Sequence, residues 1–399
     1  RTWRYWQPAA MFGQFRGGAA EAHERFRLCF QEAVRRTLAT RTGILLSGGL
    51  DSSSVALVAS RLRPSTPISS HEGASRPPAS PSLFLLGAEY SSIPQLDESR
   101  YAVAAAEAAG LPLHRVDGRV DRWDPRSEDN PLGVPGLVVP TGVLDTALPA
   151  LARLGCDVVL DGHDGDGVLG LPFAVHANTL IDLRVGPLMG CVQQAGWTPV
   201  LRTLARDFLP PTVRMARRRA RGGPSQDAER LVTFFRGRTR ARILAEFGWR
   251  SPRSGWRRQQ LRSVLPPLIQ GMEELEMHGA THGVDLRHPF ADRDLIEFLL
   301  SLPHRLKGSP HRTKEVLRHG LCDILPTVVR ERGDKIDFCP LLDRRVDYSV
   351  CLTAIQESGI RLPDVDYDLL FSAGPDLAVE RFPWIRLARA HVFVAGGPR

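Results

Sequence analysis

The chain reads as an α/β protein, a doubly wound and mostly parallel sheet with a helical C-terminal part. Three observations predict this. Short apolar runs alternate with helical patterns across residues 21–160, as in successive βαβ units. Two of the runs end in glycine-rich acidic loops, 47–53 and 161–167. Beyond residue 171 the pattern becomes mainly helical and less regular.

The elements follow in order. Residues 21–38 predict a helix, because Phe26, Cys29, Phe30, Ala33, Val34 and Leu38 share one face. Residues 43–46 form a short buried strand, and Ser47-Gly48-Gly49 turns the chain. A helix runs from Ser52, with Val55, Val58, Ala59 and Leu62 at helical spacing. Residues 64–82 are rich in Pro and Ser and read as a flexible excursion. A second strand follows at Leu83–Leu86. Asp97-Glu98-Ser99 opens an Ala-rich helix that runs through Ala109 and stops at Gly110. Further strands are expected at Leu113–Val116 and Gly155–Leu160. In such sheets ligands sit beyond the carboxyl ends of the strands. Both acidic loops follow predicted strands, so one site is expected to use both.

Composition narrows the class. The chain has 399 residues, 43% of them hydrophobic and 24% charged, which suits two or three globular domains. It contains no run of about 18 apolar residues and opens with no signal pattern. Six cysteines (29, 156, 191, 322, 339 and 351) are scattered without a CxxC pair. Buried thiols in a reducing cytoplasm are expected, rather than disulfides or zinc. The net charge of +8 admits polyanion partners, although the excess is largely arginine. The basic run 214–221 reads as a solvated helix face before it reads as a surface for RNA or an acidic peptide. Trp3, Trp6 and Trp249 read as core residues rather than a stacking platform. No membrane partner is expected, and nucleic acid is disfavoured.

The loop Leu46-Ser47-Gly48-Gly49-Leu50-Asp51-Ser52-Ser53 carries the first chemistry. A strand, a Gly-Gly turn and a helix start together make an anion site. The glycines admit phosphate oxygens to the backbone, and the free N–H groups of the helix start point at the anion. Ser47, Ser52 and Ser53 add hydroxyl donors. Asp51 would repel phosphate unless it holds Mg²⁺, which bridges carboxylate and phosphate. No Gly-Lys-Ser/Thr follows, so this is not a Walker loop. It matches instead the pyrophosphatase (PP-loop) type of ATP site.

Five further segments occur in order: Asp97-Glu98-Ser99-Arg100-Tyr101, Leu160-Asp161-Gly162-His163-Asp164-Gly165-Asp166, Arg287–Leu295, Lys314–Arg318 and Leu325–Lys335. With the first loop they resemble the synthetase domain of the asparagine synthetase family, which includes β-lactam synthetases and lasso-peptide macrolactam cyclases. The resemblance spans roughly residues 3–340. It divides the chain into a linker remnant at 1–20, a synthetase domain at 21–340 with a helical basic insertion at 171–260, and a C-terminal extension at 341–399. The opening resembles the stretch that joins this domain to a glutaminase-like domain. That domain is expected to be absent, along with glutamine hydrolysis.

The resemblance implies ATP and Mg²⁺ as cofactors and an acyl-adenylate reaction that releases AMP and pyrophosphate. It implies that Asp51 and Asp166 hold the metal. Leu46, Ser47, Gly48, Gly49, Asp51, Ser52, Ser53, Gly162 and Lys314 line the nucleotide. His163 stands where relatives place a glutamate or tyrosine that acts in amide formation, and a histidine there is a lasso-cyclase trait. An ordinary pKa near 6.5 suits it to accept a proton from an attacking amine; the competing reading is a loop histidine bonded to backbone. Lys335 matches a lysine that stabilises charge on the acyl-adenylate, although Glu331–Phe338 departs from the usual pattern and a surface lysine is the alternative. Glu273 is a weaker candidate for orienting a catalytic group. Lys314 and Arg318 are expected near the phosphates or holding the C-terminal segment. Arg287 and Asp292 read as a buried structural ion pair. Gly167 replaces the family's glutamate and weakens support for Asp166.

The expected partners are a small-molecule or peptide carboxylate and an amine, with a precursor peptide or leader-peptidase partner if the lasso reading holds. Asparagine synthesis is the runner-up. An RNA-modifying enzyme with the same ATP loop and a catalytically dead scaffold are the remaining readings.

Overall fold

The computed structural model describes residues 6–62, 82–118, 120–126, 142–169, 189, 192, 197–198, 201, 235–241, 266–308, 312–333, 336, 339–373, 387–388, 390–392 and 394–395. The basic run 214–221, Trp3, Trp249 and most of the 171–260 insertion lie outside them.

Five parallel strands form one sheet in the order β3-β2-β1-β4-β5. They are β1 (Arg41–Leu45), β2 (Ser82–Glu89), β3 (Leu113–Asp117), β4 (Val158–Leu160) and β5 (Asp285–Arg287). In register, Arg41 pairs Ser82, Thr42 pairs Val158, Leu85 pairs Leu113 and Val158 pairs Asp285. The chain moves outward from β1 to β3 and then returns to β4 on the other side of β1. The β1/β4 boundary is therefore a topological switch point, and a crevice opens there beyond the strand ends. Loops 47–53 and 161–167 both leave from that boundary.

The helices are set by burial. Helix α1 (Ala19–Thr37) buries Phe26, Phe30, Ala33 and Val34, the predicted face. Phe26 stacks on Phe30 at 5.6 Å between ring centres, and Phe30 meets Phe290 at 4.8 Å. Helix α2 (Leu50–Leu62) begins two residues earlier than expected. The amide of Ser53 already bonds the carbonyl of Gly49 at 3.0 Å, so the glycine turn is itself the first helical turn. Helix α3 (Ser99–Ala109) ends at Gly110 as the Ala-rich pattern predicts.

Three elements had no place in the sequence reading. Helix α4 (Leu144–Arg153) carries Pro149 inside it, yet buries Ala147, Leu148 and Leu151. It claims the start of the expected 155–160 strand, because the Cys156 amide bonds the Leu151 carbonyl at 3.1 Å. Strand β5 is three residues long and buries only Leu286, too short for an alternating pattern to show. Helix α5 (Gly165–Leu169) opens within the second acidic loop. Helices α6 (Pro266–Thr281), α7 (Arg293–Ser301), α8 (Glu315–Gly320) and α9 (Thr327–Arg330) complete the described helices of this part.

Contacts divide the chain into two units, 1–119 with 142–204 and 254–337, and 120–141 with 205–253 and 338–399. The described residues 120–126 and 235–241 thus group with the C-terminal residues, with bridges from Trp123 to Val346 and from Phe235 to Val365. The second unit has its own core of Trp123, Val346, Cys351, Ile355, Leu370 and Leu387. Its helices include α10 (Cys339–Arg345), α11 (Tyr348–Glu357) and α12 (Tyr367–Ala373). Trp6 donates its indole N–H to Glu297 at 2.8 Å and packs on the core of the first unit, as a core tryptophan does. The thiols of Cys29, Cys156, Cys322 and Cys351 are free, and Cys322 is exposed rather than buried. Among the described residues no helix is long and apolar enough to cross a membrane.

Candidate active site

The first loop leaves β1 with Leu46 in the core, its amide bonded to the Leu86 carbonyl at 2.8 Å. Leu46 therefore anchors the loop. Gly48 takes φ +84°, and a Cβ there would lie 2.7 Å from the amide of Ala102. Only glycine fits both the backbone and the space. Ser47 and Ser52 bring their hydroxyls to 3.1 Å of each other, and the Gly49 amide faces Ser47 Oγ at 3.3 Å. Two hydroxyls and one N–H thus gather at the start of α2, where the helix end favours an anion. Ser53 is different: it is fully buried, and its hydroxyl has no hydrogen-bond partner among the described residues.

The second loop packs directly onto the first. A Cβ on Gly162 would lie 2.6 Å from the Ser52 amide, and one on Gly165 would lie 2.5 Å from the Asp51 carboxyl carbon. Their missing side chains let Asp166 approach Asp51. Between the two carboxylates lies Lys314, at the start of α8 in the left-handed conformation (φ 59°). Its ammonium bonds Oδ2 of Asp51 and reaches Oδ1 of Asp166 at 2.7 Å. Burial opposes the Lys314 charge, but the two carboxylates hold its pKa above the ordinary lysine value.

Asp161 follows β4 and His288 follows the neighbouring strand β5. His288 Nδ1 lies 2.8 Å from Asp161 Oδ1, and the same oxygen accepts the His163 amide at 3.0 Å. The two imidazoles stand 5.5 Å apart. Burial pushes the His163 pKa down, with the charge of His288 adding to that against Asp161. His288 is buried too, yet its bond to Asp161 keeps its pKa above the ordinary value. Asp164, within the second loop, takes φ 64°. Its carboxyl is pushed up to about 7 by burial, with Asp166 and Asp51 adding to the shift against His288. Asp164 Oδ2 and His288 Nε2 are buried and have no hydrogen-bond partner among the described residues.

A strap from α8 through α9 closes over the first loop. Arg318 donates to the carbonyls of Thr313 and Arg332, each at 2.8 Å, and also to that of Arg330. Arg332 pairs with Glu98, donates to the Gly48 carbonyl at 3.2 Å and lies 4.2 Å over the Tyr101 ring centre.

Some predicted residues lie elsewhere. Arg287 and Asp292 do not pair with each other. Arg287 pairs with Asp285 at 2.7 Å and donates to the Thr37 carbonyl at 3.1 Å. Asp292 caps α7 through the amides of Asp294 and Leu295 and binds Arg36 at 2.9 Å. An aspartate before a helix satisfies the free amides first, and that local bond outweighs the distant pairing. Glu273 is exposed on α6, whereas its neighbour Glu274 is buried. Lys335 lies outside the described residues. The sequence reading missed Asp161, His288 and Arg332. Asp161 opens the second acidic loop and His288 sits in Arg287–Leu295, so their motifs were visible while their pairing across two strands was not.

The residues present fit a nucleotide with Mg²⁺. Two carboxylates from separate loops converge on the Lys314 ammonium beside the Gly48-Gly49 turn. Among the described residues no group of three or more His, Cys, Asp or Glu side chains could hold a metal alone. A magnesium ion here would complete its shell from phosphate and water, its usual habit. A family model for asparagine synthase matches residues 25–350. The chain belongs to that family, and membership implies an ATP-dependent ligase that forms an amide bond. No curated protein matched the chain.

Proposed function

We propose that this member of the asparagine synthase family activates a carboxylate of a peptide with ATP and closes it onto an amine, as a lasso-type macrolactam synthetase. The carboxylate oxygen attacks the α-phosphate, pyrophosphate leaves, and the amine displaces AMP to form the amide. Ser47, Ser52 and the Gly49 amide bind the phosphates, and Lys314 stabilises their charge. Asp51 and Asp166 would hold Mg²⁺, which when bound neutralises the phosphates and eases pyrophosphate departure. His163 accepts the proton that the attacking amine loses. The observation that carries this reading is the paired environment of the two histidines. Burial lowers the His163 pKa and so leaves its imidazole unprotonated, the form with a free lone pair, while Asp161 holds His288 in the opposite sense.

Incubation with ATP, Mg²⁺ and peptides that carry both a side-chain carboxylate and a free N-terminus tests it. Pyrophosphate release with a product lighter by one water supports a macrolactam. Asparagine formed from aspartate and ammonium, with no peptide product, would replace that reading by asparagine synthesis. If no substrate elicits pyrophosphate and Asp51→Ala behaves like the parent, the enzyme reading fails.

A further inference from the structure

Arg332 touches the first loop at Gly48, three residues before Asp51. Its side chain is only 5% exposed, so it is enclosed by protein rather than open to a ligand. One face of its guanidinium pairs with Glu98, whose side chain is 11% exposed. Another nitrogen donates to the Gly48 carbonyl at 3.2 Å. The Tyr101 ring lies beneath at 4.2 Å. Glu98 offsets the charge of Arg332, so Arg332 is a poor direct ligand for phosphate. Its effect lies in what it orients.

The carbonyl of Gly48 and the amide of Gly49 belong to one planar trans peptide, so they point in opposite directions. Holding the carbonyl on the α3 side turns the N–H to the other side, where it meets Ser47 Oγ at 3.3 Å. Ser52 Oγ lies there too, 3.1 Å from Ser47 Oγ. Glycine at 48 has no Cβ, so the peptide that follows it has more rotational freedom than after any other residue, and a contact that holds its carbonyl matters more. The strap holds Arg332 in turn, since Arg318 binds the Arg332 and Thr313 carbonyls and Lys314 follows next in the chain.

We propose that Arg332 is a positioning residue for phosphate binding, fixing the Gly48–Gly49 peptide so that its N–H, which donates to Ser47 Oγ, holds that hydroxyl beside Ser52 on the side where the phosphates would bind. The inference rests on the ATP reading above. Calorimetric titration of the full chain with MgATP, magnesium pyrophosphate and adenosine tests it. In Arg332→Gln, the MgATP and pyrophosphate dissociation constants are expected to rise by about tenfold or more, as for loss of a charge-assisted contact, with adenosine affinity unchanged. Arg332→Lys keeps a charge near Glu98 but cannot span two partners, so pyrophosphate binding stays weak. Parent-like pyrophosphate affinity in Arg332→Gln overturns the proposal, as does an equal loss for adenosine, which marks general damage. If Arg332→Gln does not fold, Glu98→Gln decides: weaker pyrophosphate with unchanged adenosine supports the proposal, and parent-like affinity overturns it. A parent that binds neither MgATP nor pyrophosphate overturns the ATP reading itself, and this inference with it.

Discussion

The ammonium of Lys314 lies 2.7 Å from Oδ1 of Asp166, across 148 residues of sequence and at the point where the second acidic loop meets the first. The same nitrogen holds Asp51. Removing it leaves two carboxylates facing each other. Lys314→Met is expected to destabilise the fold by about 2 kcal/mol, below the ~3–5 for a fully buried pair, because Asp166 is 40% exposed. Thermal melting checks this, and added Mg²⁺ should recover part of the loss. Pyrophosphate release should fall by roughly 100-fold, the scale for losing one electrostatic stabiliser.

The contact between loops depends on glycine. Gly162→Ala would place a methyl 2.6 Å from the Ser52 amide, a backbone atom that cannot rotate away. The second loop must shift, and with it Asp166. A large rise in the MgATP dissociation constant is expected, with a melting loss equivalent to about 1–3 kcal/mol. An unchanged affinity in a titration would contradict the packing.

The two histidines have opposite stability profiles. The pKa of His288 is raised in the fold, so its pairing stabilises fully below about pH 6.5, the unfolded value. That contribution is lost as pH rises through the folded value. His288→Gln should therefore lose most stability in acid and least in alkali. The pKa of His163 is lowered, so its environment penalises protonation, and the penalty grows as pH falls below 6.5. His163→Gln should narrow the acid instability of the parent. Urea unfolding across pH 5–9 measures both trends.

Arg287 and Asp292 serve separate ion pairs, with Asp285 and Arg36. Asp292→Ala removes the cap of α7 and is expected to cost about 1 kcal/mol. A double-mutant cycle should find coupling between Arg36 and Asp292, which lie 2.9 Å apart. Between Arg287 and Asp292 the coupling should fall within about 0.5 kcal/mol of zero.

Much of the site was legible because its parts are local. A strand, two glycines, an aspartate and serines in eight residues determine a turn, a helix start and a set of donors without help from elsewhere. The same holds for α1, whose buried phenylalanines recur at helical spacing, and for α3, whose end falls on Gly110. The sequence by itself also determined the parallel α/β class, since strand and helix patterns alternate along it. Tertiary structure decided what meets across distance. Asp51, Asp166 and Lys314 share one charge because β1 and β4 are neighbours at the switch point and α8 returns to them. His288 meets Asp161 only because a three-residue strand, too short to show in any pattern, lies beside β4. Arg332 reaches Gly48 across 284 residues. Sequence patterns report the backbone's local preferences, which act over a few residues. Charges find their partners through the packed sheet, and no local period encodes that.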